Sequence, residues 1–115
     1  MISKKLLSEV LKTEFKRDYE FSYIGDNSFL YTDEYIPING YEIAHKCKEW
    51  AISKGYIIET SYESITDSFG AYCICRVYFD GDKVYDNYSE DQPLEKEPEA
   101  IFQATQWILE IGNNV

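Results

Sequence analysis

Histidine, cysteine and proline are scarce in this chain, and each shortage removes a class of function. His45 is the only histidine among 115 residues, which excludes His-pair metal centres and leaves general acid–base work to carboxylates or one imidazole. The three cysteines, Cys47, Cys73 and Cys75, are an odd set where a small secreted domain would show an even one, so reduced thiols are expected. Apolar runs are short and broken by charge, far from the roughly 20 residues that cross a bilayer, and no charged-then-apolar leader ends in a cleavage site. A cytoplasmic protein without membrane contact is expected. P-loop, G-x-G-x-x-G and G-x-S-x-G motifs are all missing.

The sharpest metal constellation the residue types allow, His45 with Cys47, Cys73 and Cys75, fails on geometry. Residues two apart on a helix point about 200 degrees from each other, so His45 and Cys47 cannot hold one ion. Asp80-Gly81-Asp82 followed by Asp86 hints at calcium but lacks the glycine position and bidentate glutamate of an EF-hand loop, and reads as a turn. No metal, no cofactor and no catalytic residue is assigned.

What remains is a well-formed folding pattern. With 44% hydrophobic and 17% aromatic residues, and eleven tyrosines against three prolines, the chain has the means for one domain with a real core. Ile2, Leu6, Val10, Leu11 and Phe15 recur at helical spacing, with Ser3 as an N-cap. From Tyr19 the period becomes two: Tyr19, Phe21 and Tyr23 alternate before Gly25-Asp26-Asn27-Ser28, and Phe29 and Tyr31 after it, predicting a hairpin. Thr32-Asp33-Glu34 reads as a loop.

The spacing next predicts a helix over 39–54. Asn39 and Glu42 resemble a capping box, Gly55 suits the left-handed closing residue, and Ile43, Ala44, Cys47, Trp50 and Ala51 form one wide stripe. Strands follow over 56–62, 71–79 and 83–88, with a tight turn at Asp80-Gly81-Asp82. In the middle strand Ala71, Cys73, Cys75, Val77 and Phe79 make an apolar face that needs helices, and Tyr72, Ile74, Arg76 and Tyr78 the opposite one. An acidic linker, 89–97, leads to a helix over 98–111 that opens on Pro98, with Glu97 and Glu99 at the positive end of its dipole. Ile101, Ala104, Ile108 and Ile111 form its stripe, flanked by Ala100 and Trp107. Ala44, Ala51 and Ala104 would let the two long helices lie close together.

The fold class expected is therefore α+β: an antiparallel sheet of three or more strands, helices 39–54 and 98–111 on one face, and the N-terminal helix or hairpin on or near the other. Residues 1–115 form a single domain, with 1–37 as an extension to a 38–111 core. If that second sheet face is not buried, Tyr72, Arg76 and Tyr78 on it could serve a protein interface or stack on unpaired bases.

Charge is unevenly spread over the chain. The formal net charge is −10, residues 1–17 carry +3, and residues 80–99 carry −6. Such a field opposes nucleic-acid phosphates and favours a basic protein surface as partner, although acidic surfaces also serve solubility alone.

The run I-A-H-K-C-K-E-W-A-I-S-K-G-Y, together with E-P-E-A-I-F-Q-A-T-Q-W-I-L closing the chain, resembles the small bacteriophage proteins grouped as the phage alpha-beta-alpha sandwich domain. The likeness covers about residues 38–111 and rests on core and cap positions. It departs at Thr105, where a small or thiol residue is usual, and in the long connection from Glu63 to Gly70. The resemblance implies a phage or prophage origin and carries no catalytic residue over.

The function expected is non-catalytic protein–protein interaction. The acidic region would lie against the basic groove of a host nucleic-acid-binding enzyme, such as a CRISPR nuclease, and inhibit it without direct nucleic-acid contact. Partner-binding residues would be Asp80, Asp82, Tyr85, Asp86, Tyr88, Glu90 and Asp91. The alternatives are a phage accessory or structural protein that self-associates into a homodimer, and a small enzyme using Glu59, Glu63 or Asp67 beside His45.

Overall fold

A polar side chain closes the start of each of the first two helices. Ser3 Oγ accepts the Leu6 N–H at 3.1 Å to begin α1 (Lys4–Leu11), and Asn39 Oδ1 accepts the Tyr41 N–H at 2.8 Å to begin α2 (Gly40–Ser53), each satisfying a donor that the first turn leaves unpaired. Between them lie β1 (Ser22–Ile24), β2 (Asn27–Tyr31) and β3 (Pro37–Asn39). After α2 come β4 (Tyr56–Ser64), β5 (Ala71–Phe79), β6 (Asp82–Asp86) and α3 (Glu97–Asn113). This computed structural model describes residues 2–20, 22–24, 27–31, 37–64, 71–87 and 97–113.

The chain is α+β, with two three-stranded antiparallel sheets of order β1-β2-β3 and β4-β5-β6. In the second sheet Tyr56 pairs with Phe79 and Ser64 with Ala71, so β4 and β5 run alongside each other over their full length. α3 lies over β5 and β4, and α2 over β4. Ile58, Cys73, Cys75 and Val77 are buried on this face and join one core with Ile43, Ala44, Cys47, Ala51, Ala100, Ile101, Ala104 and Ile108. Trp50 and Trp107 are half-buried against the same core. Thr105, fully buried, donates its hydroxyl to the Ile101 carbonyl at 2.7 Å, and its oxygen meets the Cys47 thiol across the helix pair. The hydroxyl is thereby satisfied without leaving the dry layer.

One placement differs from the sequence expectation. α1 does not lie against the second face of the β4-β5-β6 sheet. It packs on α2 and α3, while β2 and β3 pack on α2. Ile2, Leu6, Leu7, Val10, Tyr19 and Leu30 enter the same core as the helices, each large aliphatic side chain contributing about 1.5–3 kcal/mol of burial, so the N-terminal residues are part of the core. The reason is on α3, which buries Phe102 and Leu109 in addition to its sheet-facing stripe. With Gln106 these form a second line at i, i+4 and i+7, and Gln106 Oε1 accepts the Ser3 hydroxyl at 2.8 Å. A helix apolar on two sides needs a layer on each, and the outer sheet face, with exposed Glu59 and half-buried Arg76, is a poor one for Leu6, Leu7 and Val10.

β3 was not foreseen. It is a three-residue edge strand opening on Pro37, a position that tolerates proline because no ladder donor is required there. Among the described residues no helix is long and apolar enough to cross a membrane.

Candidate functional site

The β5–β6 hairpin is held rigidly at its base and leaves its tip to solvent. Asp80 and Gly81 take φ of 53 and 85 degrees, the doubly left-handed geometry of a two-residue hairpin loop, and Phe79 pairs with Asp82 to close it. Aspartate tolerates that region and glycine occupies it freely, so D-G is the chemistry this turn needs. A bulge between Val77 and Tyr78 then shifts the register: Tyr78 faces Lys83, Val77 faces Tyr85, and Val84 is the extra residue.

Two contacts fix the base. Tyr85 stacks on Trp107 of α3 with ring centroids 4.8 Å apart and planes inclined by 24 degrees. Asn87 Oδ1 accepts the Cys75 N–H at 2.8 Å, its own N–H reaches the Cys75 carbonyl at 3.2 Å, and its amide nitrogen donates to the Ala100 carbonyl at 3.2 Å. One side chain thus ends β6 and ties the hairpin to α3.

Of the expected partner-binding residues, Asp80, Asp82 and Asp86 are exposed on this hairpin. Asp86 pairs with Lys83 at 3.1 Å, so the full negative charge is presented by Asp80 and Asp82 at the tip. Tyr85 is half-buried, and its ring is committed to Trp107; burial raises its hydroxyl pKa, the nearby Cys75, Asp86 and Glu110 adding to the effect. It acts as an anchor for the hairpin more than as a contact for a partner. Tyr88, Glu90 and Asp91 lie outside the described residues.

The thiols behave as core atoms. Burial pushes Cys47 and Cys75 up to about 12 and Cys73 to about 11, and a buried thiol that keeps its proton at neutral pH is a poor nucleophile. His45 is on the surface, its Nε2 3.1 Å from Glu49 Oε1 one turn on. Glu59 pairs with Arg76 on the sheet face turned away from α2, so it does not meet His45. Glu63 has no described side chain and Asp67 lies outside the described residues. No group of three potential metal ligands occurs among the described residues.

A groove of about 440 Å³ lies between the ends of α1 and α2, lined by Ser8, Glu9, Lys12, Trp50, Ser53 and Lys54. Its hydroxyls are turned to the backbone, Ser8 to the Lys4 carbonyl at 2.7 Å and Ser53 to the Trp50 carbonyl at 2.6 Å. What the groove offers a ligand is therefore one carboxylate and two lysines at helix C-termini. It was not singled out in the sequence, because its residues come from two helices whose relative placement periodicity does not encode.

Comparison with protein-family models, with curated proteins and with solved structures gives no match to this chain.

Proposed function

We propose that this chain is a non-catalytic interaction protein that presents the acidic tip of the β5–β6 hairpin to a basic protein surface. The observation that supports the reading is the exposure of Asp80 and Asp82 on a hairpin whose base is fixed by Tyr85 and Asn87. A charged tip on a rigid support loses little conformational entropy on docking. The formal charge of −10 steers such a surface toward cationic partners and away from phosphates.

A surface of this kind fits the nucleic-acid groove of a cytoplasmic host enzyme, a defence nuclease of the CRISPR type included, where it would compete with nucleic acid. That role accords with the phage origin implied by the family resemblance. The test is affinity capture from the host followed by competition. A direct partner should be released by duplex DNA and by moderate salt, and should be lost when Asp80→Asn, which still accepts the positive φ at that position, and Asp82→Lys are combined, with the melting temperature nearly unchanged. Retention of the partner by that double variant refutes the proposal.

A further inference from the structure

The β4-β5-β6 sheet has two edges, and they are not treated alike. β6 is short, bulged and carries Lys83, the usual devices that keep an edge from pairing. β4 spans nine residues, Tyr56 to Ser64, with no proline, no lysine and an unbroken register against β5.

The direction of the β4 main chain follows from Asn87. Because the Cys75 N–H and C=O both point toward Asn87 and β6, the alternation of an antiparallel ladder turns Ile74 and Arg76 toward β4. Their partners Ser61 and Glu59 face inward, so Ile58, Thr60 and Tyr62 direct their N–H and C=O groups outward from the sheet. Among the described residues nothing pairs with them on that side.

The surroundings select what could. Packed helices sit about 8–10 Å apart while strands repeat every 4.8 Å or so. With α3 over β5 and β4, α2 must therefore lie at or beyond the β4 edge. It roofs the strip where one more strand would run, and a second copy of this domain, bringing its own α2, would collide with that roof. α2 and β4 run antiparallel through the two-residue link Lys54-Gly55, which sets Tyr41 near Tyr62 and Ile52 over the start of β4, while Ile57 flanks the same edge on the opposite face. These are four of the six large apolar side chains exposed among the described residues, at 43%, 54%, 64% and 59% respectively. Lys48, in the same stripe of α2, is close enough to the Cys73 and Cys75 thiols to favour their ionisation, and so is directed toward the sheet.

We propose that the β4 edge binds an extended segment of another protein by strand addition, and that the segment alternates apolar and basic residues. Residues opposite Ile58, Thr60 and Tyr62 would point up to Tyr41 and Ile52 and be apolar. Those between them would lie beside exposed Glu59 and be basic, in keeping with the net charge of −10. This surface is distinct from the acidic hairpin tip, and either can fail without the other.

The probe is a capped nine-residue peptide alternating lysine and valine, with a glutamate–valine peptide as its control. Amide exchange by NMR should slow about tenfold at Ile58, Thr60 and Tyr62 on adding the lysine peptide, while Ile57, Glu59 and Ser61 change little. The control should bind roughly tenfold more weakly, and Glu59→Lys should narrow that gap. Thr60→Pro deletes one outward donor without removing a bond to β5 and should abolish the protection. Unchanged exchange at the three amides, or equal binding of both peptides, overturns the proposal. So does protection in the free protein that rises with its concentration, which would make a second copy the occupant.

Discussion

Ile57 and Ile58 are adjacent, identical in chemistry and equally suited to a strand, yet they sit on opposite faces of the same sheet and belong to different parts of the molecule. Ile58 is in the common core with Cys73, Cys75 and Val77, whereas Ile57 is 59% exposed beside Glu59, Arg76 and Tyr78. β-propensity cannot distinguish them; the layer above each face does. The inner face carries the common core, whereas the outer one is covered only in part, with Ile74 buried and Ile57 left to solvent.

The largest expected effect tests that contrast directly. Ile58→Ala should cost about 2–5 kcal/mol, the range for truncating a buried aliphatic, whereas Ile57→Ala should stay within about 0.5 kcal/mol. Urea denaturation of the two variants measures both. Equal losses would mean that the outer face is as fully packed as the inner one. Next in size is Asn87→Ala, which leaves the Cys75 N–H without its acceptor and unfastens β6 from α3; a loss of about 1–3 kcal/mol is expected, with faster hydrogen exchange of the Cys75 amide.

How much of this was legible in the sequence depends on whether the signal was local. Caps, turn and strand pattern were: Ser3, Asn39 and Asp80-Gly81 each perform the local role their residue types imply. The last strand was expected to reach Tyr88, and ends at Asp86 because the Asn87 side chain replaces the main chain as the Cys75 partner. The position of α1 was misjudged because the second apolar line of α3, Phe102 and Leu109, was overlooked beside the stronger Ile101, Ala104 and Ile108 stripe. Tyr85 looked like an interface aromatic, since nothing local in sequence tells a partner's contact from a stack on Trp107 of the molecule itself. The β4 edge and the groove between α1 and α2 needed the layer order, which no spacing supplies.

Alkaline pH separates the two faces by chemistry. The thiols of the covered face ionise in the unfolded chain near their ordinary value of 9.0 but are held to about 11 for Cys73 and about 12 for Cys47 and Cys75 in the fold. A folded pKa above the unfolded one means that the native state keeps protons the unfolded state has lost. The stabilisation is therefore complete below pH 9 and declines as pH rises from about 9 to about 12, by at most about 1.4 kcal/mol per pH unit for each thiol. Tyr62 and Tyr85, also raised chiefly by burial, add to the decline above pH 10 in the same sense. The denaturation midpoint followed across this range should fall, and Cys75→Ala should make the fall shallower. A flat profile would place the thiols in contact with water and undo the description of that face as dry.

The smallest effect is expected where the proposed function resides. Asp80→Asn with Asp82→Asn keeps the side-chain shapes and keeps residues that accept a positive φ at position 80, so the hairpin should form as before. Stability should change by less than about 0.5 kcal/mol, with a slight gain at low salt from removing two like charges in a turn. That gain should vanish as ionic strength shortens the screening length to a few ångströms. A large loss instead would show that the carboxylates brace the turn, and the acidic tip would then be a structural feature of β5 and β6 with no charge to spare for a partner.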